Sequence, residues 1–327
     1  MLTQALSDLT AWRLGPEHHP SRARPAVAAR IVIVGGGFAG VTTARRLEQA
    51  FGRDPSVSIT IISETNALLF TPMLAEVAAG SLEATHISSP LRTGLRRTAV
   101  VRGRVSDIDL KGRCVLLAPD APGARQRTEP FDHLVLALGA VSNYMGLEHV
   151  AAAAFDFKTL ADAIRIRNHV IDLFERADRE PDPATRRPLL TVVVAGGGFA
   201  GAELAGGLND FARGMLPYYP NVPADEVRII LAHSRERILP ELSETLAAYA
   251  LERMTARGVT FKLDERVADA REGAIVLTSG EEIHAGTIVW TAGTAPHPLL
   301  KELGVERDKR DAVVVEPPLA MPGRPGL

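Results

Sequence analysis

The hexapeptide GGGFAG occurs twice in this chain, at residues 35–40 and again at residues 196–201. Each copy follows a run of apolar residues rich in β-branched side chains, IVIV at 31–34 and TVVVA at 191–195. Each then leads into a helix-like segment, VTTARRLEQA or AELAGGLNDF. A lone Gly-x-Gly-x-x-Gly is weak, because glycine-rich turns are common, but the succession of strand, ordered glycines and helix is a dinucleotide-binding signature. The first glycine permits the tight turn, the second lets backbone N–H groups approach a pyrophosphate, and the third lets helix and strand pack closely. The anion then lies at a helix N-terminus, where unpaired donors and the macrodipole favour negative charge. Two copies about 160 residues apart predict two nucleotide-binding folds in one polypeptide, a layout in which one bound dinucleotide reduces another.

A chain of 327 residues, 46% hydrophobic, is long enough to bury two substantial cores. The expected class is α/β, with two Rossmann-like, three-layer dinucleotide-binding domains and the second inserted in the first. Residues 1–29 read as an extension, 30–150 with 290–327 as the first domain, and 151–289 as the second. In the extension, Leu2, Ala5, Leu6 and Leu9 share one face of a short amphipathic helix, and His18 and His19 read as solvent-exposed linker residues. A formal charge of −2 argues against nucleic acid as the main partner. No stretch approaches the roughly 20 apolar residues of a membrane span. The single cysteine, Cys114, excludes a disulfide framework and a dithiol relay, and in RCVLL it reads as a small apolar strand residue. Electrons would therefore pass straight to an external acceptor. The histidines lack ligand spacing and no serine lies in a G-x-S-x-G elbow, so neither metal sites nor hydrolytic chemistry is expected.

Glu64 closes the strand at 58–63, where an acid accepts hydrogen bonds from an adenine ribose and would clash with a 2′-phosphate. Residues 66–80 read as an irregular loop with a short helix, 91–97 as a solvated helix face, 100–108 and 113–117 as covering strands, and 123–130 as a polar turn. FDHLVLALGA at 131–140 is a strand ending in a small-residue turn, with Ala137 and Gly139 able to approach a dinucleotide. Residues 156–177 read as one helix and 178–188 as a linker. In the second fold, Glu203 is placed in the first turn of the helix, while Gly206 and Gly207 each cost about 1 kcal/mol in a helix interior unless close packing on the sheet justifies them. After VRIILA an acid is expected for NADH, yet His233, Ser234 and Arg235 follow. His233 and Ser234 can bond a ribose hydroxyl and Arg235 can meet a 2′-phosphate, so the choice between NADH and NADPH stays open. Glu281 and Glu282 read as a solvated turn. IVWTAGTAP at 288–296 repeats the design of LVLALGA, with Ala292 and Gly293 in its turn.

With these motifs the chain resembles the type II NADH dehydrogenases, the single-subunit NADH:quinone oxidoreductases. NALLFTPMLAEVAAGSLEATHISSPLR, ALGAVSNYMG, FKTLADAIRIRNHVIDLFERA, GGGFAGAELAG, RILPELSE and IVWTAGTAPHPLL fall in the family's order and approximate spacing from about Arg30 onward. The resemblance implies FAD on the first loop, with Gly35, Gly37, Ala39, Gly40 and Glu64 at pyrophosphate and ribose, and Asn66, Thr71 and Pro72 toward the flavin ring. It implies NAD(P)H, NADH favoured, on Gly196, Gly198, Phe199 and Gly201, with Glu203 near the nicotinamide and taken as the catalytic side chain. His233 stands where the family frequently has an acid, and Ala292 and Gly293 would lie at the cofactor crossing. A quinone is the implied acceptor. The implied location is cytoplasmic, or peripheral on the cytoplasmic face of a membrane if a longer form carries an anchor; a homodimer is allowed. Family members continue past a segment like AVVVEPPLAMPG into a Gly-Asp strand, a quinone-site helix and an amphipathic anchor, whereas this sequence stops at Leu327. Weakened FAD retention and impaired quinone reduction are the expectations for a chain of this extent. Two rivals share both loops: a reductase for an iron–sulfur protein, and a nucleotide-binding remnant without turnover.

Overall fold

A computed structural model describes residues 27–271, 273–317, 319–324 and 326. The helix expected near the start, with His18 and His19, lies outside the described residues. Two parallel sheets form the framework. The first runs Ala99–Arg102, Val57–Ser63, Ala29–Val34, His133–Leu136, and the second runs Phe155–Asp156, Thr287–Trp290, Thr191–Ala195, Arg228–Ala232, Val259–Lys262. The near-continuous apolar runs fit strands covered on both faces, as parallel sheets require. Ile33, Ile61, Val193 and Ile229 are fully buried.

The two folds are copies in architecture as well as in motif. Each carries a three-stranded antiparallel sheet ahead of its final parallel strand. In the first it comprises Val105–Asp109, Cys114–Leu117 and Arg127–Pro130; in the second, Val267–Arg271, Ala274–Leu277 and Glu282–His284. Part of the polar turn expected at 123–130 is thus strand, because pairing with Cys114–Leu117 satisfies a backbone whose side chains are exposed. Each final strand then ends in a small-residue turn and re-emerges as a short strand, Ala140–Ser142 or Thr294–Pro296. These two strands pair antiparallel with each other, tying the folds together.

Several local expectations shift. The helix expected from residue 156 is Leu160–Ala177, started by a capping box in which Thr159 accepts from the Asp162 N–H while the Asp162 carboxylate accepts from the Thr159 N–H. The linker at 178–188 contains a helix, Pro183–Leu189, capped by Asp182 and anchored by a bidentate pair between Arg186 and the buried Glu226. In 91–97, Leu91 and Leu95 are buried and only part of the segment faces solvent. Cys114 is a free, half-buried strand residue.

The largest departure concerns the loop after the strand Val57–Ser63. Ala67–Leu69 pairs with Ser88–Pro90, and between them the helix Leu74–Ala78 packs against Leu160–Ala177 and Phe199–Met215 of the second fold. Leu74, Ala75, Val77 and Ala78 are buried in the core that holds Leu204, Leu208 and Ile229. Gly207 faces this helix, and a Cβ there would stand 3.0 Å from the Ala79 Cβ, so the close packing is helix on helix rather than helix on sheet. A Cβ at Gly206 would meet only Met254 Cε, at 3.8 Å. Opposite outcomes follow for the two neighbours. Gly206→Ala should raise the unfolding free energy by up to about 1 kcal/mol through helix propensity. Gly207→Leu should lower it by about 1–3 kcal/mol through overpacking. Urea denaturation of both variants checks this.

Candidate functional site

In the first fold the chain leaves Ala29–Val34, turns through the glycines and enters the helix Phe38–Phe51. Gly35 has φ +116°, and a Cβ there would collide with the Ala137 carbonyl oxygen, so glycine loop and neighbouring strand end touch backbone to backbone. The Gly35 N–H donates to the Ile62 carbonyl and the Ala137 N–H to the Val34 carbonyl, both at 2.8 Å. A Cβ at Gly40 would strike the Gly35 carbonyl. Gly37, by contrast, is exposed, and a Cβ there would meet no atom within 4 Å. The helix has no side-chain cap, leaving its first N–H groups beside this open space. Ala39 is exposed in the same first turn. A phosphate fits what the backbone leaves there.

Around this cradle the expected residues converge in part. Glu64, one residue past the strand, is exposed, and among the described residues its carboxylate has no hydrogen-bond partner. Asn66, Thr71 and Pro72 are exposed on the following loop, where the Phe38 and Phe70 rings meet edge to face at 5.7 Å. Gly139, with φ +70°, closes the turn that begins at Ala137.

The second cradle repeats the first. Gly196 has φ +117°, and a Cβ there would lie 2.7 Å from the Thr291 carbonyl carbon and 2.8 Å from Ala292 Cα. The Thr291 hydroxyl donates to the Ala195 carbonyl at 2.9 Å, fastening the turn. Gly201 abuts the Gly196 carbonyl, and Gly198 faces open space. Phe199 is exposed at the helix start, as Phe38 is in the first copy. A cleft of about 700 Å³ opens here, lined by Gly196, Gly198, His233, Arg235, Ala292 and Gly293. His233 Nδ1 accepts from the Gly197 N–H at 3.1 Å, while among the described residues its buried Nε2 has no partner. Burial, reinforced by the Arg235 charge, holds the ring below the usual histidine range and therefore neutral near pH 7.

Strand register aligns the two copies. The Gly35 N–H bonds Ile62 and the Gly196 N–H bonds Ala232; a Cβ at Gly36 would meet Ser63, and one at Gly197 would meet His233. His233 thus corresponds to Ser63, and the counterpart of Glu64 is Ser234 rather than His233.

The two cradles lie at adjoining ends of their sheets. Beyond the paired crossover strands, the Asn143 N–H donates to the Gly293 carbonyl at 3.1 Å and Trp290 Nε1 donates to the Asn143 carbonyl at 2.9 Å. Glu203 is the fifth residue of the helix Phe199–Met215, beyond its first turn. Glu203 is exposed, yet partial desolvation, then the nearby Glu76 carboxylate, pushes its carboxyl above the usual glutamate range. Glu76 comes from the docked helix Leu74–Ala78, and its Oε2 is buried without a partner among the described residues. Glu76 had no sequence signal of its own; the apolar spacing of LAEVA, which docks the helix, was the only pointer. Among the described residues no group of three His, Cys, Asp or Glu side chains could hold a metal ion.

Gly37 separates cradle chemistry from folding. Gly37→Val adds atoms into space no protein atom occupies, so the melting temperature without ligand should stay close to the parent's. Dinucleotide affinity should fall by about tenfold or more, as equilibrium dialysis would measure.

The pyridine nucleotide-disulphide oxidoreductase family matches residues 29–326. The type II NADH:quinone oxidoreductase Ndh of Mycobacterium tuberculosis is 32% identical over 326 residues, 96% of this chain and 68% of that protein. NdhA of the same organism is 34% identical over 311 residues, 91% of this chain and 64% of that protein. NDH2 from Plasmodium falciparum, solved in complex with NADH, superposes with a TM-score of 0.77 at 20% identity, over 84% of this chain and 57% of that one. The chain thus spans between about half and two thirds of the length of these relatives. Twin cradles, shared topology and this likeness place the chain in the pyridine nucleotide-disulphide oxidoreductase family, among the type II NADH:quinone oxidoreductases.

Proposed function

We propose that the chain works as a flavin-dependent oxidoreductase that takes two electrons from NADH and delivers them to a quinone, yielding NAD⁺ and quinol with uptake of one proton. The observation that carries this reading is the junction of the two cradles: crossover strands Ala140–Ser142 and Thr294–Pro296 pair, and the Asn143 N–H donates to the Gly293 carbonyl beside them. FAD on the first cradle and a reduced nicotinamide on the second would supply the hydride acceptor and donor. The protein's share is placement. Gly35, Gly37, Ala39 and Gly40 would hold the flavin pyrophosphate, Glu64 its adenine ribose, and Ala137 and Gly139 the turn alongside. Asn66, Thr71 and Pro72 would border the ring. Gly196, Gly198, Phe199 and Gly201 would hold the nicotinamide dinucleotide, with His233 flooring its turn and Ala292 and Gly293 at the crossing. Fixing two reactants in contact geometry removes much of the entropic barrier.

Glu203 is the side chain we assign to proton handling. Its raised carboxyl binds a proton more readily than an ordinary glutamate, and a quinone needs protons as it accepts electrons. Quinones partition into bilayers, so the reading includes peripheral contact with a membrane face. Among the described residues no helix is long and apolar enough to cross a membrane.

Anaerobic mixing of the purified protein and FAD with NADH should bleach the flavin absorbance, with reoxidation on adding a soluble quinone. An unchanged spectrum would refute the reading. Glu203→Gln should slow quinone reduction more than flavin bleaching. Its stability should also show a signature: a group with a raised folded pKa favours folding at low pH and loses that contribution as pH rises through the folded pKa. The neutral glutamine should therefore melt higher than the parent at about pH 7.5, with the gain disappearing below about pH 4. Melting curves across this range check it.

A further inference from the structure

We propose that the second cradle accepts a 2′-phosphorylated adenosine, so that NADPH serves as a donor alongside NADH, with Arg235 and Arg266 holding the 2′-phosphate beside Ser234. This inference rests on the proposed nicotinamide site and specifies its adenosine end. Register supplies the first observation. Residue 64 of the first fold is a glutamate with a free carboxylate, suited to a 2′-hydroxyl and repulsive to a phosphate. The corresponding residue of the second fold is Ser234, exposed on the cleft, which brings a hydroxyl donor and no charge.

The second observation is two guanidinium groups without partners. Arg235 and Arg266 are exposed, line the same cleft and form no ion pair or side-chain hydrogen bond among the described residues. The nearby Arg237 is already engaged, donating to the carbonyls of Pro240 and Leu242 at 3.2 and 3.3 Å. Two carboxylates, Glu241 and Glu265, share the same rim. Glu265 accepts from the Thr278 hydroxyl at 2.8 Å and the Ser279 N–H at 3.1 Å, so it is tied to the hairpin. Glu241 lines the cleft with no ion pair among the described residues, and stands against two arginines. Guanidinium forks match phosphate oxygens in geometry, and such charge-assisted bonds are the strong ones. His233, neutral and bonded to the Gly197 N–H, contributes shape and no negative charge.

The test compares 5′-AMP with 2′,5′-ADP, which report the adenosine end without any hydride chemistry. Calorimetry is run on the full chain with saturating FAD, which fills the first cradle. 2′,5′-ADP should bind about tenfold or more tightly than AMP at low salt, with the advantage shrinking as salt rises. Arg235→Ala should bring the affinity ratio close to one, and Ser234→Glu should invert it. If AMP binds and 2′,5′-ADP is no tighter, or the ratio survives Arg235→Ala, the phosphate assignment is overturned and the dinucleotide site stands. If neither ligand binds, the nicotinamide site itself falls, and this inference with it.

Discussion

Contact between bare backbones organises this molecule. At Gly35 and again at Gly196 the chain passes so close to the neighbouring strand end that a single methyl would collide with it. Both glycines also hold φ values in the left-handed region, near +116°. The turn, the unpaired N–H groups at the start of the helix, and the open space at Gly37 and Gly198 all follow from that approach. So does the direction of the strand ends that lead to the crossover ribbon. A larger residue at either position would move the cradle and also the connection between the folds.

Much of this was legible in the chain itself. The duplicated glycine turn, the β-branched runs before it and the repeated LVLALGA and IVWTAG endings dictated two parallel sheets with equivalent turns, because each pattern has a local physical cause. The helix Leu74–Ala78 was legible as a short helix, but its docking on Phe199–Met215 was not, since five residues of LAEVA carry no address. Glu203 was visible as an acid near a glycine turn, whereas its coupling to Glu76 depends on tertiary docking. Which of His233, Ser234 and Arg235 matches Glu64 was not legible, because strand ends look alike in sequence and only hydrogen-bond register pairs Ser63 with His233 and Glu64 with Ser234. In 178–188, three prolines and three acids read as a linker; Asp182 and Pro183 instead cap and start a helix that the Arg186–Glu226 pair holds down.

The two acids at the junction illustrate a general tension between stability and chemistry. Glu76 has a buried oxygen without a partner among the described residues, and Glu203 is disfavoured as an anion by its surroundings. A position chosen only for stability would pair or replace the Glu76 oxygen, whereas the exposed Glu203 costs the fold little. The two acids come from different folds, Glu76 from the docked helix Leu74–Ala78 and Glu203 from Phe199–Met215, so the docking itself brings them together.

The docked helix Leu74–Ala78 has a dynamic consequence. Its apolar face is shared with the interior of the other lobe, so a clamshell opening would expose a continuous oily seam to water. The two lobes are therefore latched: a jaw-like parting between them would strip Leu74, Val77 and Ala78 out of a dry interior.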